Sequence, residues 1–154
     1  MGINKSRRSS SRLAAIKALY SGEINEKINN QKSPAILALD IITMYHESED
    51  EEDDKDIDET FLSQIIKGVC ENKADLDKSI AKFLSEGWRF ERLGPVIQSI
   101  LRAAVLELMQ YSDTPKKVII NEYVNITHGF YDDKEVGFVN GILDKIAQEV
   151  RGDE

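Results

Sequence analysis

The sequence predicts an all-α fold: one domain over residues 1–154, with about seven helices in two compact bundle-like halves. Three observations carry this expectation. Apolar residues in the second half recur at spacings of three and four: Ile97, Ile100, Leu101, Ala104 and Leu108, then Ile119, Tyr123, Ile126 and Phe130, then Val139, Ile142, Leu143, Ile146 and Val150. These spacings match the helical period and not the strand period of two. The three prolines, Pro34, Pro95 and Pro115, all stand where a helix would begin. With 154 residues, 41% hydrophobic and 31% charged, the chain can also bury a sizeable core. Helices of this kind are marginal alone and need one another's apolar faces.

Residues 1–11 are polar and basic, with serines at 6, 9, 10 and 11, and are expected to form a flexible N-terminus in which one serine caps the first helix. Leu13, Ile16, Tyr20 and Ile24 give that helix its stripe. A polar loop, Asn25 to Lys32, separates it from the second helix. Ser33-Pro34 is a cap followed by proline at the first helical position, and Leu37, Ile41, Met44 and Tyr45 form the second stripe. Glu47 to Glu59 holds ten acids and one lysine. Such a run is expected to be a solvated, mobile loop, and it lacks the glycine turn and ligand spacing of a calcium loop. Phe61, Leu62, Ile65, Ile66 and Val69 mark a third helix. Leu76, Ile80, Phe83 and Leu84 mark a fourth, with a break near Asn72 and an end at Gly87. Trp88 to Leu93 is a short helical turn, and Gly94-Pro95 opens the fifth helix. Thr114-Pro115 repeats the cap-and-proline device for the sixth. Val118 to Ile120 is β-branched, but Tyr123, Ile126 and Phe130 continue from Ile119 at the helical period. Gly129 to Val136 connects to the seventh.

The net charge is −8, yet residues 1–20 contain Lys5, Arg7, Arg8, Arg12 and Lys17 and no acid, which leaves −13 for the rest. Such asymmetry points to nucleic-acid contact at the basic end; a basic tail without a role is the alternative. No apolar run approaches the roughly 18 residues of a membrane span, and the N-terminus lacks the pattern of a signal peptide. Cys70 is the only cysteine, so no intramolecular disulfide forms. It is expected as a small buried core residue of a cytoplasmic protein. There is no phosphate-cradling glycine loop or dinucleotide fingerprint. Neither His46 nor His128 has a metal-ligand partner at i+4. Cys70 and His128 both sit within helical patterns, so no catalytic residue, metal or cofactor is expected.

Trp88, Glu91-Arg92-Leu93, Ile100-Leu101-Arg102-Ala103-Ala104, Glu107-Leu108, Pro115, Val118, Ile120-Asn121-Glu122 and Phe138-Val139-Asn140-Gly141 with Leu143-Asp144 occur in an order and spacing that resembles the NusB family of bacterial transcription antitermination factors. The resemblance runs from about Arg12 to Val150, outside the acidic run, and is most specific between Asn121 and Gly141. It implies a NusB-like helical domain that catalyses no reaction. It also implies binding of single-stranded boxA RNA together with the small-subunit ribosomal protein NusE, and contact with other Nus factors and RNA polymerase through that complex. It places RNA near the start of the first helix, at Arg8, Arg12 and Tyr20, and near the start of the last, at Phe138 and Asn140. Lys134 joins them by its charge.

Each of these residues also has a plainer role open to it. Arg12 could lie on a solvated face, Tyr20 could be core with its hydroxyl at the rim, and Phe138 could pack beside Val139 and Ile142. Asn140 could brace the helix start. Arg102 and Glu107 are expected as a polar network inside the bundle, and Glu122 as similar. Three features depart from the family: serines interrupt the arginine cluster, Gly22 stands where an aromatic is common, and the acidic run is dense. Two alternatives differ in class. NusB-like domains also precede RNA cytosine methyltransferase domains, which would require a long catalytic domain beyond Glu154; a helical protein-interaction adapter would bind no RNA.

Overall fold

The computed structural model describes residues 3–27, 32–49 and 56–152, with the backbone alone for 3–6 and 25–27. All regular elements among them are helical: α1 (Ile3–Lys27), α2 (Pro34–Glu47), α3 (Glu59–Ala81), α4 (Pro95–Gln110), α5 (Lys116–Phe130), α6 (Asp133–Arg151) and a 3-10 turn, Phe90–Arg92. The expected third and fourth helices are one element, α3, interrupted at Asn72, whose φ of −116° and ψ of 17° are not helical. The chain divides into two compact units, Met1–Cys70 and Glu71–Glu154. None of the described helices is long and apolar enough to cross a membrane.

In the first unit α1 packs on α2. Its buried face is not the expected aliphatic stripe but a row of small residues, Ser11, Ala14, Ala15 and Ala18, with Ile16 and Leu19; Tyr20 and Ile24 are exposed. Small side chains let helix axes approach, and Gly22 continues this: a Cβ there would stand 3.0 Å from Leu37 Cδ1. The absence of an aromatic at this position is therefore explained by the closeness of α2. Ser33 caps α2 as expected, accepting from the Ile36 N–H at 3.3 Å. Leu37, Ile41 and Tyr45 are buried, whereas Met44 is 62% exposed.

Two expectations for this unit change. Residues 3–11 are helical rather than a flexible tail, and Ser11 does not cap α1. It lies inside the helix and is fully buried. Its hydroxyl donates to the Arg7 carbonyl at 2.6 Å and accepts from the Asp58 N–H at 2.8 Å. The end of the acidic run is likewise not a solvated loop. Ile57 is 6% exposed, and the Asp58 carboxylate caps α3 by accepting from the Phe61 N–H at 3.1 Å. Residues 50–55, the middle of the run, lie outside the described residues, as do residues 28–31 of the expected loop.

In the second unit α4, α5 and α6 pack against one another. Every residue of α4 from Ser99 to Leu108 is buried, Arg102 and Glu107 included, so this helix is enclosed rather than amphipathic. The expected polar network includes two pairs. Arg102 donates from Nε and Nη2 to the two Asp77 oxygens at 2.7 and 2.9 Å. The Tyr123 hydroxyl donates to Glu107 Oε1 at 2.9 Å, both residues having no solvent exposure. Phe130 and Val150, expected on apolar faces, are exposed because each sits in the last turn of its helix. Cys70 is half-buried rather than core. Helix α3 ends at Ala81, not at Gly87; Gly87, with φ of +92°, sits in a turn closed by the Trp88 N–H on the Ser85 carbonyl. Thr114 does not cap α5, since Pro115 itself holds the cap position. Helix α6 starts at Asp133, so only two residues separate it from α5.

The carbonyls at and beyond the end of α4 are gathered by Arg151, which donates to Leu108, Tyr111 and Thr114 at 2.7, 2.8 and 2.9 Å. Charged hydrogen bonds to part-buried carbonyls are individually strong. Arg151→Ala is expected to cost about 2–3 kcal/mol, a fall in Tm of roughly 5–10 °C. Arg151→Lys should recover little, because an ammonium lacks the planar fork of donors. Thermal melts followed by circular dichroism check this; an unchanged Tm in both variants would show that water replaces the guanidinium at no cost.

Candidate nucleic-acid interface

The residues expected to contact RNA fall in both units: Arg8, Arg12 and Tyr20 on α1, and Lys134, Phe138 and Asn140 on α6.

On α1 the basic residues are engaged within the protein. Arg7 Nε lies 3.0 Å from Asp56 Oδ1, and its Nη2 donates to the Ile57 carbonyl at 3.3 Å. The Arg8 guanidinium stands 4.6 Å from the centre of the Phe61 ring, and Arg8 is half-buried. Arg12 stands 5.3 Å from the centre of the same ring and is only 2% exposed. Lys17 Nζ lies 5.3 Å from the Tyr45 ring centre. Arg12 is thus enclosed and does not lie on a solvated face. Its spacing from Arg8 places both near Phe61, and Arg12 is the deeper of the two cations. Arg8 keeps partial access and Tyr20, at 36% exposure, is open to solvent. The side chain of Lys5 lies outside the described residues.

On α6 the periodicity separates neighbours. Val139, Ile142, Leu143 and Ile146 are buried, while Lys134 and Asn140 are exposed and Phe138 is half-buried. Phe138 does not join the core. Its ring stacks on Trp88 with centroids 5.5 Å apart and planes at 22°, and Trp88 is 51% exposed. Lys134 is one helical turn before Phe138 and on the same side. Asn140 is the eighth residue of α6, so it is not a cap; Asp132 holds that position.

Trp88 is held in place by the turn immediately after it. The Phe90 carbonyl accepts from Gln98 Nε2 at 2.9 Å, and the Phe90 ring lies 5.0 Å from the Arg102 guanidinium carbon. Phe90 is 6% exposed. Two residues on, a buried anchor therefore fixes where the exposed tryptophan stands.

Residues 9–148 match the model of the NusB family. The chain belongs to the NusB family. It is 38% identical over 152 residues to the transcription antitermination protein NusB of Caulobacter vibrioides, covering 94% of each chain. It is 35% identical to that of Novosphingobium aromaticivorans, covering 97% of this chain and 98% of the relative. The solved structure of T. maritima NusB superposes with a TM-score of 0.73 at 34% identity, covering 92% of this chain and 91% of that one. A structure of the antitermination factors NusB and NusE in complex with double-stranded RNA shares the fold, with a TM-score of 0.75 at 21% identity over 94% of this chain and 98% of that one.

Within this member of the family the surface residue that periodicity missed is Trp88. It belongs to no helix, so no stripe includes it. The only signal in the sequence is that the single tryptophan stands beside Arg89 in a connection rather than in a core pattern.

The burial of Arg12 generates a prediction. Arg12→Ala is expected to lower stability by about 2 kcal/mol, because it removes a buried stem and a cation over Phe61. Arg8→Ala, at a half-buried position, should cost about 0.5–1 kcal/mol. Urea titrations compare the two midpoints. An Arg12→Ala midpoint equal to that of the unmodified chain, together with weakened RNA binding, would return Arg12 to the interface.

Proposed function

We propose that this chain is a transcription antitermination factor that binds boxA-type RNA jointly with the small-subunit ribosomal protein NusE and catalyses no reaction. In this role it regulates transcription elongation and termination, notably of ribosomal RNA operons, and reaches other Nus factors and RNA polymerase through the complex. The observation that carries the reading is the half-exposed Trp88–Phe138 stack beside Lys134, in a chain whose full-length relatives are antitermination proteins. Single strands are bound by cations that track the backbone and rings that stack the bases. A solved NusB with the same fold forms a complex with NusE and RNA.

Electrostatics supports a joint surface. The chain carries −8 overall, and on α1 Arg7 is paired with Asp56 while Arg12 is enclosed. Fewer cations face solvent than the sequence offers, so few phosphates can be neutralised and the electrostatic part of the affinity is small. A basic partner extends the RNA path and is steered by the negative field of this protein.

RNA affinity measured at fixed salt, with and without NusE, tests this. RNA is expected to bind weakly alone and more tightly with NusE, and by linkage RNA raises NusE affinity by the same factor. Arg8→Ala should reduce the log–log salt slope by about 0.7, the share of a single phosphate on a single strand. Equal RNA affinity in both conditions would overturn the joint mechanism. NusE binding without any RNA binding would make the protein an adapter only.

A further inference from the structure

The solvent side of α6 carries more than Phe138. Lys134, Gly137, Gly141 and Lys145 lie on the same side of the helix, and all four are exposed. Asp133 and Asp144 border this side rather than interrupt it. Arg89 and Arg92, shortly after Trp88 in the chain, are exposed as well. Single exposed apolar residues are ordinary. Two aromatic rings stacked on one another at the surface, with cations on both sequence segments that carry them, form a pattern suited to a planar, anionic ligand.

A second observation is independent of the rings. Gly137 and Gly141 occupy the interior of α6, where glycine is the poorest helix former after proline. Neither has a positive φ, and nothing lies within 4 Å of the point a Cβ would occupy at either. Unlike Gly22, these glycines answer no need of packing or backbone conformation within the protein. They leave bare backbone on the side that carries the aromatic ring and the lysines, as close approach of a ligand to a helix requires.

We infer that Trp88 and Phe138 form a stacking platform on which the open face of Trp88 receives an unpaired RNA base. Lys134 and Lys145 hold phosphates on one side and Arg89 and Arg92 on the other, while Gly137 and Gly141 let the strand lie against α6. This deepens the RNA-binding reading above and rests on it. Cations suit RNA better than an acidic-to-neutral protein surface, and rings stack any base because every base has a π-face.

Trp88 is the only tryptophan, so its fluorescence reports this site alone. The full chain is titrated with a short boxA-type single strand bearing a 5′ dye, with dye anisotropy and tryptophan emission read in parallel. Both signals are expected to change with one midpoint. Trp88→Phe keeps a ring and should bind within a few-fold of the unmodified chain. Trp88→Ala should bind roughly 5- to 150-fold more weakly, the effect of removing one stacked base. Gly141→Ala should move two readouts in opposite directions: Tm rises by about 2–4 °C and RNA affinity falls. A duplex of the same sequence, whose bases are already paired, should not quench Trp88. If anisotropy reports binding while Trp88 emission and Trp88→Ala affinity are unchanged, the platform is wrong and the RNA-binding function stands. If the strand does not bind at all, with or without NusE, both fall. If NusE alone shifts Trp88 emission and RNA does not, the platform is a protein contact and the inference is overturned.

Discussion

The second unit depends on a charge that has been taken out of water. Arg102 lies within an enclosed helix at 5% exposure. A guanidinium there is tolerable only with its donors satisfied, and the two-pronged contact with Asp77 does this with good geometry. The consequences reach outward. The pairing ties the later part of α3 to α4, because Asp77 belongs to the former. The same guanidinium carries the Phe90 ring, which seats the 3-10 turn and with it Trp88. A buried ion pair thus ends up setting the position of a surface aromatic. Removing Asp77 would leave the Arg102 guanidinium buried and uncompensated, which costs far more than the pair contributes as a net gain; the Asp77 side chain itself keeps 29% exposure.

The first unit has its own electrostatic arrangement. The acidic run and the basic helix lie far apart in sequence but meet at Asp56 and Arg7. Ser11 joins the same two segments through the Asp58 backbone. The acids nearest α3 therefore act as structural partners and as a helix cap rather than as free negative charge. The exchange reduces the basic character that α1 presents to solvent.

The two units solve close packing differently. On α1, alanines, Ser11 and Gly22 are small because a neighbouring element occupies the space. On α6, Gly137 and Gly141 are small although the space is open. The same residue type thus answers a packing constraint in one place and none within the protein in the other. The distinction matters for stability, since helix-interior glycines away from any contact are a standing cost that a more stable sequence would remove.

Much of the fold was legible in the sequence by itself. Helical periodicity located the described helices, because burial of one face every 3.6 residues is a local, repeated requirement, though as seven, with α3 divided near Asn72, and three prolines marked starts. The order of the Asn121-Glu122 and Phe138-Val139-Asn140-Gly141 segments carried the family. What periodicity could not decide was depth. It cannot tell that α4 is enclosed on every side, that Arg12 sits at 2% exposure over Phe61, or that Tyr20 and Ile24 on the nominal stripe face solvent. Those outcomes depend on which elements arrive against each face, and that is settled by contacts between residues tens of positions apart. The same holds for the caps: Ser33 serves its own helix and could be read locally, whereas Ser11 serves Asp58, 47 residues away. Trp88 is the clearest case, since its partner Phe138 lies 50 residues further on and only the packing of the Phe90 turn brings the rings together. The sequence determined the helices and the lineage; the tertiary structure decided which of its cations are engaged inside the protein and which aromatic rings remain for a ligand, because solvent access is a property of the assembled fold and not of any stretch of chain.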